Sequence, residues 1–97
     1  MAEQEKYLVH IKATGEVKRI DQPTKPDLAQ LQALVGGYIE YIGGIKYDGH
    51  DCYMYCNEEG KLTLLPLNEK ATKLFQDARG PVDVIFGDVV VIIGWED

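Results

Sequence analysis

The sequence predicts an α+β domain: a mostly antiparallel sheet with two helices packed on one side. Three observations carry that reading. Two segments repeat apolar residues at helical spacing, and each stops at glycine, Gly36-Gly37 and Gly80-Pro81. Short β-rich segments bounded by turn residues fill most of the rest. Their order with the helices is strand, strand, helix, strand, strand, helix, strand, strand, which lacks the regular strand–helix alternation of a parallel sheet. A chain of 97 residues also allows only one core, so these elements must share it. Residues 1–5 are expected as a flexible tail and residues 6–97 as one domain.

Tyr7 to Lys12 alternates as a strand, with Tyr7, Val9 and Ile11 on one face. Thr14-Gly15 marks a turn, and Glu16 to Ile20 returns as the second strand of a hairpin. Thr24, with Asp27 three residues later and Pro26 in the first turn, marks a helix start. Leu28, Leu31, Leu34 and Val35 form its apolar stripe, and Gly36-Gly37 ends it. Tyr38 to Ile42 is β-rich. Gly43-Gly44 and Asp48-Gly49 are expected to break the following stretch into turns.

Asp51 to Cys56 reads as a strand, with Cys52, Met54 and Cys56 facing one way and Tyr53 and Tyr55 the other. Asn57-Glu58-Glu59-Gly60 is a turn, with Gly60 placed for a positive φ. Lys61 to Leu65 is expected as a short strand. Pro66-Leu67-Asn68 opens the second helix, where Asn68 is a good N-cap and Glu69 suits the helix dipole. Ala71, Leu74, Phe75 and Ala78 make its buried stripe. Val82 to Phe86 is expected as a strand, followed by a tight turn at Gly87-Asp88. Val89 to Ile93 is an unbroken apolar run of the kind buried on both faces of a sheet.

Composition narrows the function classes. Net charge is −6, and residues 35–97 carry the whole excess, with eleven acidic and five basic side chains. That balance argues against a protein that grips a nucleic-acid backbone, which needs clustered Lys and Arg. It suits either plain solubility or an acidic face that meets a basic partner. No apolar run approaches a membrane span, and the polar, acidic start is no secretory signal, so a cytoplasmic protein is expected. Cys52 and Cys56 fall on one strand face roughly 13 Å apart, too far to bond to each other, and read as reduced apolar fillers.

Catalytic chemistry finds little to stand on. The chain has no serine, so Cys52 or Cys56 with His10 or His50 is the sole nucleophile–base combination. His50, Asp51, Cys52 and Cys56 lack the paired spacing of a zinc site. The glycine pairs lack the Lys-Ser/Thr ending of a phosphate loop. No enzyme activity, cofactor or metal is expected.

The aromatic residues are more suggestive. Tyr38, Tyr41, Tyr47, Tyr53 and Tyr55 fall within eighteen residues. Tyrosine offers apolar area and a hydroxyl at low entropy cost. The set reads either as a packed second sheet face or as a surface for a planar ligand. In the second case Tyr38, Tyr41, Tyr53 and Tyr55 would line the site, and Arg79 and Lys46 would meet its phosphate.

Four segments in fixed order carry a resemblance: Leu34 to Glu40, Asn57 to Leu62, Pro66-Leu67-Asn68 with Ala71, and Gly87 to Val91. Together they resemble a family of small phage, prophage and plasmid proteins of unknown function. The resemblance implies an accessory protein of a mobile element that counters host defence from the host cytoplasm. Two expectations follow. The first is a homo-oligomeric binding protein that sequesters a small nucleotide-derived signalling ligand. The alternative is an acidic, DNA-mimic-like inhibitor of a host defence protein, acting through Glu40, Asp48, Asp51, Glu58 and Glu59. Neither needs direct contact with nucleic acid or membrane.

Overall fold

Five antiparallel strands form one sheet in the order β2-β1-β5-β4-β3. The computed structural model describes residues 5–60, 62–81 and 83–95. The elements are β1 (Tyr7–Ile11), β2 (Val17–Asp21), α1 (Leu28–Val35), β3 (Ile39–Tyr47), β4 (His50–Asn57), α2 (Glu69–Arg79) and β5 (Val89–Ile93). Of the expected tail, residues 1–4 lie outside the described residues. Glu5 is exposed and pairs with Arg19 at 2.6 Å.

The centre of the sheet is β5, paired with β1 on one side and β4 on the other. All five of its residues are buried, as the apolar run predicts. Strand alternation sends Val89, Val91 and Ile93 to one face and Val90 and Ile92 to the other. Each face then needs its own cover. Ala71 of α2, with Leu74 and Phe75, packs against Tyr7, Val9, Ile11, Met54 and the odd-numbered face of β5. Leu31 and Val35 of α1 pack against Leu8, Tyr53, Val90 and Ile92. The α+β class and antiparallel sheet stand, but the helices lie on opposite faces, not on one side. A central strand that is apolar on both faces makes one-sided packing too costly, because Leu8, Val90 and Ile92 would face water.

Local chemistry explains the boundaries. Asp27, not Thr24, caps α1, its carboxylate accepting the Gln30 N–H at 2.8 Å. A cap at Thr24 would make Lys25 helical, and a residue preceding proline resists that conformation. Leu28 shares the helical face of Leu31 and Val35 but, as the first helical residue, lies beyond the core at 58% exposure. Gly36 ends the helix in the left-handed conformation, with φ 80°.

Gly43-Gly44 do not form a turn. They lie inside β3, where the register slips between Tyr41 and Gly43 in a bulge. Gly43 takes φ 106°, and a Cβ there would collide with the Arg79 guanidinium. The reversal comes at Asp48-Gly49, both at positive φ as a two-residue hairpin loop requires. The Gly43–His50 stretch is therefore one continuous hairpin.

The expected strand at Lys61 to Leu65 is a turn over Leu62–Leu64, and Lys61 lies outside the described residues. Thr63 N–H donates to Glu59 O and Leu65 N–H to Gly60 O, so these amides are used locally. Gly60 is absent from the positive-φ glycines. It is needed for space, since an added Cβ would sit 2.8 Å from the Phe86 carbonyl oxygen.

The expected strand at Val82 to Phe86 also does not form over 83–85, and Val82 lies outside the described residues. The α2 side pairs with this backbone instead. Thr72 Oγ1 accepts the Ile85 N–H at 2.8 Å, Ile85 O accepts the Asn68 N–H at 2.8 Å, and Gln76 Nε2 donates to Asp83 O at 2.9 Å. Among the described residues of this segment, Phe86 alone makes a bridge, to Leu67. Asn68 caps α2 through the Ala71 N–H, as expected. On α2, Ala71, Leu74 and Phe75 face the core as expected, Thr72 is buried beside them, and Ala78 is exposed.

Candidate functional site

The tyrosines divide between surfaces. Tyr41, Tyr53 and Tyr55 stand on the α1 face of the β3–β4 ribbon, because Tyr41 pairs with Tyr55 across the strands. Their ring centroids lie 5.7–6.0 Å apart in tilted and edge-on contacts. Tyr53 is 6% exposed and belongs to the core, Tyr55 is half-buried, and Tyr41 is 47% exposed at the rim. Tyr38, at 67% exposure, precedes β3 and is not part of this stack. Tyr47 packs against the α2-side core cluster.

The two candidate cations do not converge on the stack. Arg79 ends α2 and lies over Gly43, on the face opposite Tyr53 and Tyr55. Lys46 is exposed and pairs with Asp51 at 3.8 Å near the β3–β4 turn. The candidate carboxylates also divide. Asp48 and Asp51 belong to that turn end, whereas Glu40, Glu58 and Glu59 gather at the opposite end of the ribbon, where β3 starts and β4 finishes.

Two clefts open at that second end. One, of about 450 Å³, lies between α2, the β3–β4 ribbon and residues 83–86. Glu40, Glu58 and Asp83 line it with Phe75 and Phe86, while Tyr41 borders it from β3 with its ring on the opposite face. Glu40 reaches the floor, where the Cys56 thiol approaches its carboxylate at 3.8 Å. The other, of about 490 Å³, is bordered by Tyr38, Glu59, Thr63 and Leu65. Residues 57–60 and 62–65 lie between them. They form a built turn: Asn57 Oδ1 accepts the Glu59 N–H at 2.8 Å, Asn57 Nδ2 donates to Val35 O at 3.2 Å, and Glu58 N–H donates to Tyr38 O at 2.9 Å. It holds Leu62 and Leu64 in solvent at 84% and 87% exposure, Leu64 at φ 55°. A leucine in that conformation is uncommon, and a fully exposed one gains nothing from core packing.

Sequence reasoning placed neither Leu62 and Leu64 nor Asp83, Phe75 and Phe86 at this end, because it read 61–65 and 82–86 as strands. The available signal was Leu62-Thr63-Leu64-Leu65 directly after a turn, an apolar cluster without strand alternation.

Of the two histidines, only His10 is on the face away from the cysteines. His10 is on the α1 face, its Nε2–H donating to Leu34 O at 2.8 Å. Cys52 and Cys56 are on the α2 face. Burial pushes the Cys52 thiol up to about 11, the Tyr47 backbone opposing and Asp51 adding to the shift. A protonated thiol is the reverse of an activated nucleophile. His50 lies edge-on to the Tyr7 ring at 6.3 Å. Among the described residues no three His, Cys, Asp or Glu side chains are grouped to hold a metal ion. Nor is any helix among them long and apolar enough to cross a membrane.

No curated protein and no solved structure matches the chain. Residues 6–97 match a domain of unknown function (DUF3846), and the chain belongs to that family.

Proposed function

We propose that this chain is a non-enzymatic binding protein of a phage or other mobile element that docks on a basic host polypeptide, the inhibitor reading of the sequence. One observation carries it. Leu62 and Leu64 are held in water by a hydrogen-bonded turn, with Glu40, Glu58 and Glu59 around them. Exposed apolar side chains rimmed by charge are the composition of a protein-binding patch. The carboxylates select a partner rich in Lys and Arg and speed its approach. A defence protein that handles nucleic acid has that surface chemistry.

The nucleotide-sequestering reading draws on the Tyr41–Tyr53–Tyr55 stack. It has less support, because Tyr53 serves the core and Arg79 lies across the sheet from the stack. The two separate in one experiment. The tagged chain and its Leu64→Asp variant are purified from cells carrying an active defence system and compared by native mass spectrometry. A stoichiometric polypeptide that is lost in Leu64→Asp and released by salt supports docking. An adduct below one kilodalton, retained by the variant, overturns it in favour of the ligand reading.

A further inference from the structure

The geometry points to the cleft between α2, the β3–β4 ribbon and residues 83–86 as a socket for an arginine side chain of the partner. This deepens the docking reading and rests on it. Phe75 and Phe86 present aromatic side chains, and Glu40 and Glu58 present carboxylates, to the same space of about 450 Å³. No Lys or Arg lines it among the described residues.

That pairing is selective. Aromatic walls alone would take any apolar side chain, and carboxylates alone any cation. Together they fit a group with an apolar stem and a charged, flat end. A guanidinium meets all three demands: its stem covers aromatic surface, its plane stacks on a ring, and its N–H fork meets a carboxylate with two hydrogen bonds. An ammonium is a compact, strongly hydrated charge and loses the stacking. The cleft also adjoins Leu62. An arginine seated there would place its backbone beside the exposed leucines, so partner apolar residues next to it would cover them.

The test is a titration of the isotope-labelled full chain with Nα-acetyl-arginine N-methylamide, followed by amide chemical shifts. The citrulline analogue, equal in shape but uncharged, is titrated in parallel. The expected result is saturable shifts at Glu40, Tyr41, Glu58 and Phe86 with the arginine probe only. The lysine analogue should bind more weakly, and Glu58→Gln should weaken the arginine probe about tenfold, as loss of one charge-assisted bond would. Glu58 is exposed, so that variant should keep its fold. Equal shifts with citrulline, shifts centred on Asp48 and Asp51, or no saturable change would overturn the socket. A salt-sensitive protein complex that persists despite a failed titration would overturn the socket alone and leave docking standing.

Discussion

Cys52 carries a consequence of partial burial on β4. Its thiolate would be poorly solvated there, so the folded chain keeps a proton that the unfolded chain gives up near 9.0. The sign follows. Below that value both states are protonated and nothing changes. Between it and about 11 the unfolded state alone ionises, so stability falls as pH rises. Urea unfolding on either side of this window should show a decline that is shallower in Cys52→Ala. An identical slope in the variant would assign the loss to other groups. At the same scale, the sequence already told the two strand faces apart, because Cys52, Met54 and Cys56 do face α2 while Tyr53 and Tyr55 face α1. It gave no means of grading exposure within a face. Tyr53 and Tyr41 differ through their neighbours across the sheet, which alternation along one strand does not encode.

Among the elements, Asn68 joins three. Its Oδ1 caps α2, while Nδ2 donates to Ile11 O at the end of β1 and to Gly87 O before β5, both at 2.9 Å. Asn68 is 1% exposed. Alanine would remove a cap, at about 0.5–2 kcal/mol, and leave two buried carbonyls without their donor, at about 1–3 kcal/mol. The expected loss for Asn68→Ala is about 2–4 kcal/mol by chemical denaturation. Asn68→Asp, which keeps an acceptor for the cap but loses both donors, should be no milder. A loss confined to a few tenths of a kcal/mol would mean the capping and bridging bonds are replaced by water. The cap was legible from Asn68 followed by Glu69. The bridging was not, since Ile11 and Gly87 lie 57 and 19 residues away. The same distance effect hid residues 83–86. Val84-Ile85-Phe86 has strand composition, but Thr72 and Asn68 take its backbone bonds. Gly43-Gly44 misled for another reason: glycine marks bulges and close approaches as well as turns, and only the Arg79 contact decides between them.

Across the whole molecule, protection should follow the sheet order. The amides of β5 are bonded into the sheet between β1 and β4, whereas β2 is an edge strand whose residues are exposed apart from half-buried Ile20. Hydrogen exchange should therefore be slowest in β5 and β1, opening only with global unfolding, and much faster in β2. Comparable rates in β2 and β5 would contradict this gradient. The class of fold was readable because the helix stops and apolar runs are local signals. The placement of the helices had a signal too: Val89 to Ile93, apolar at every position, needs cover on both faces. The candidate cleft was the least readable, since it depends on residues 57–60, Leu62 and 83–86 meeting beside α2.

The place of β5 also governs how the chain is made. The β1–β2 and β3–β4 hairpins sit on opposite sides of β5 in the sheet order, so they have no strand pairing with each other. On the ribosome each hairpin emerges early, yet neither finds its neighbour until residues 89–93 follow. A growing chain is thus two unjoined ribbons with apolar faces open, and completion comes in one late step when a single strand slots between them. Any interruption of synthesis before that strand would leave a product unable to close its sheet.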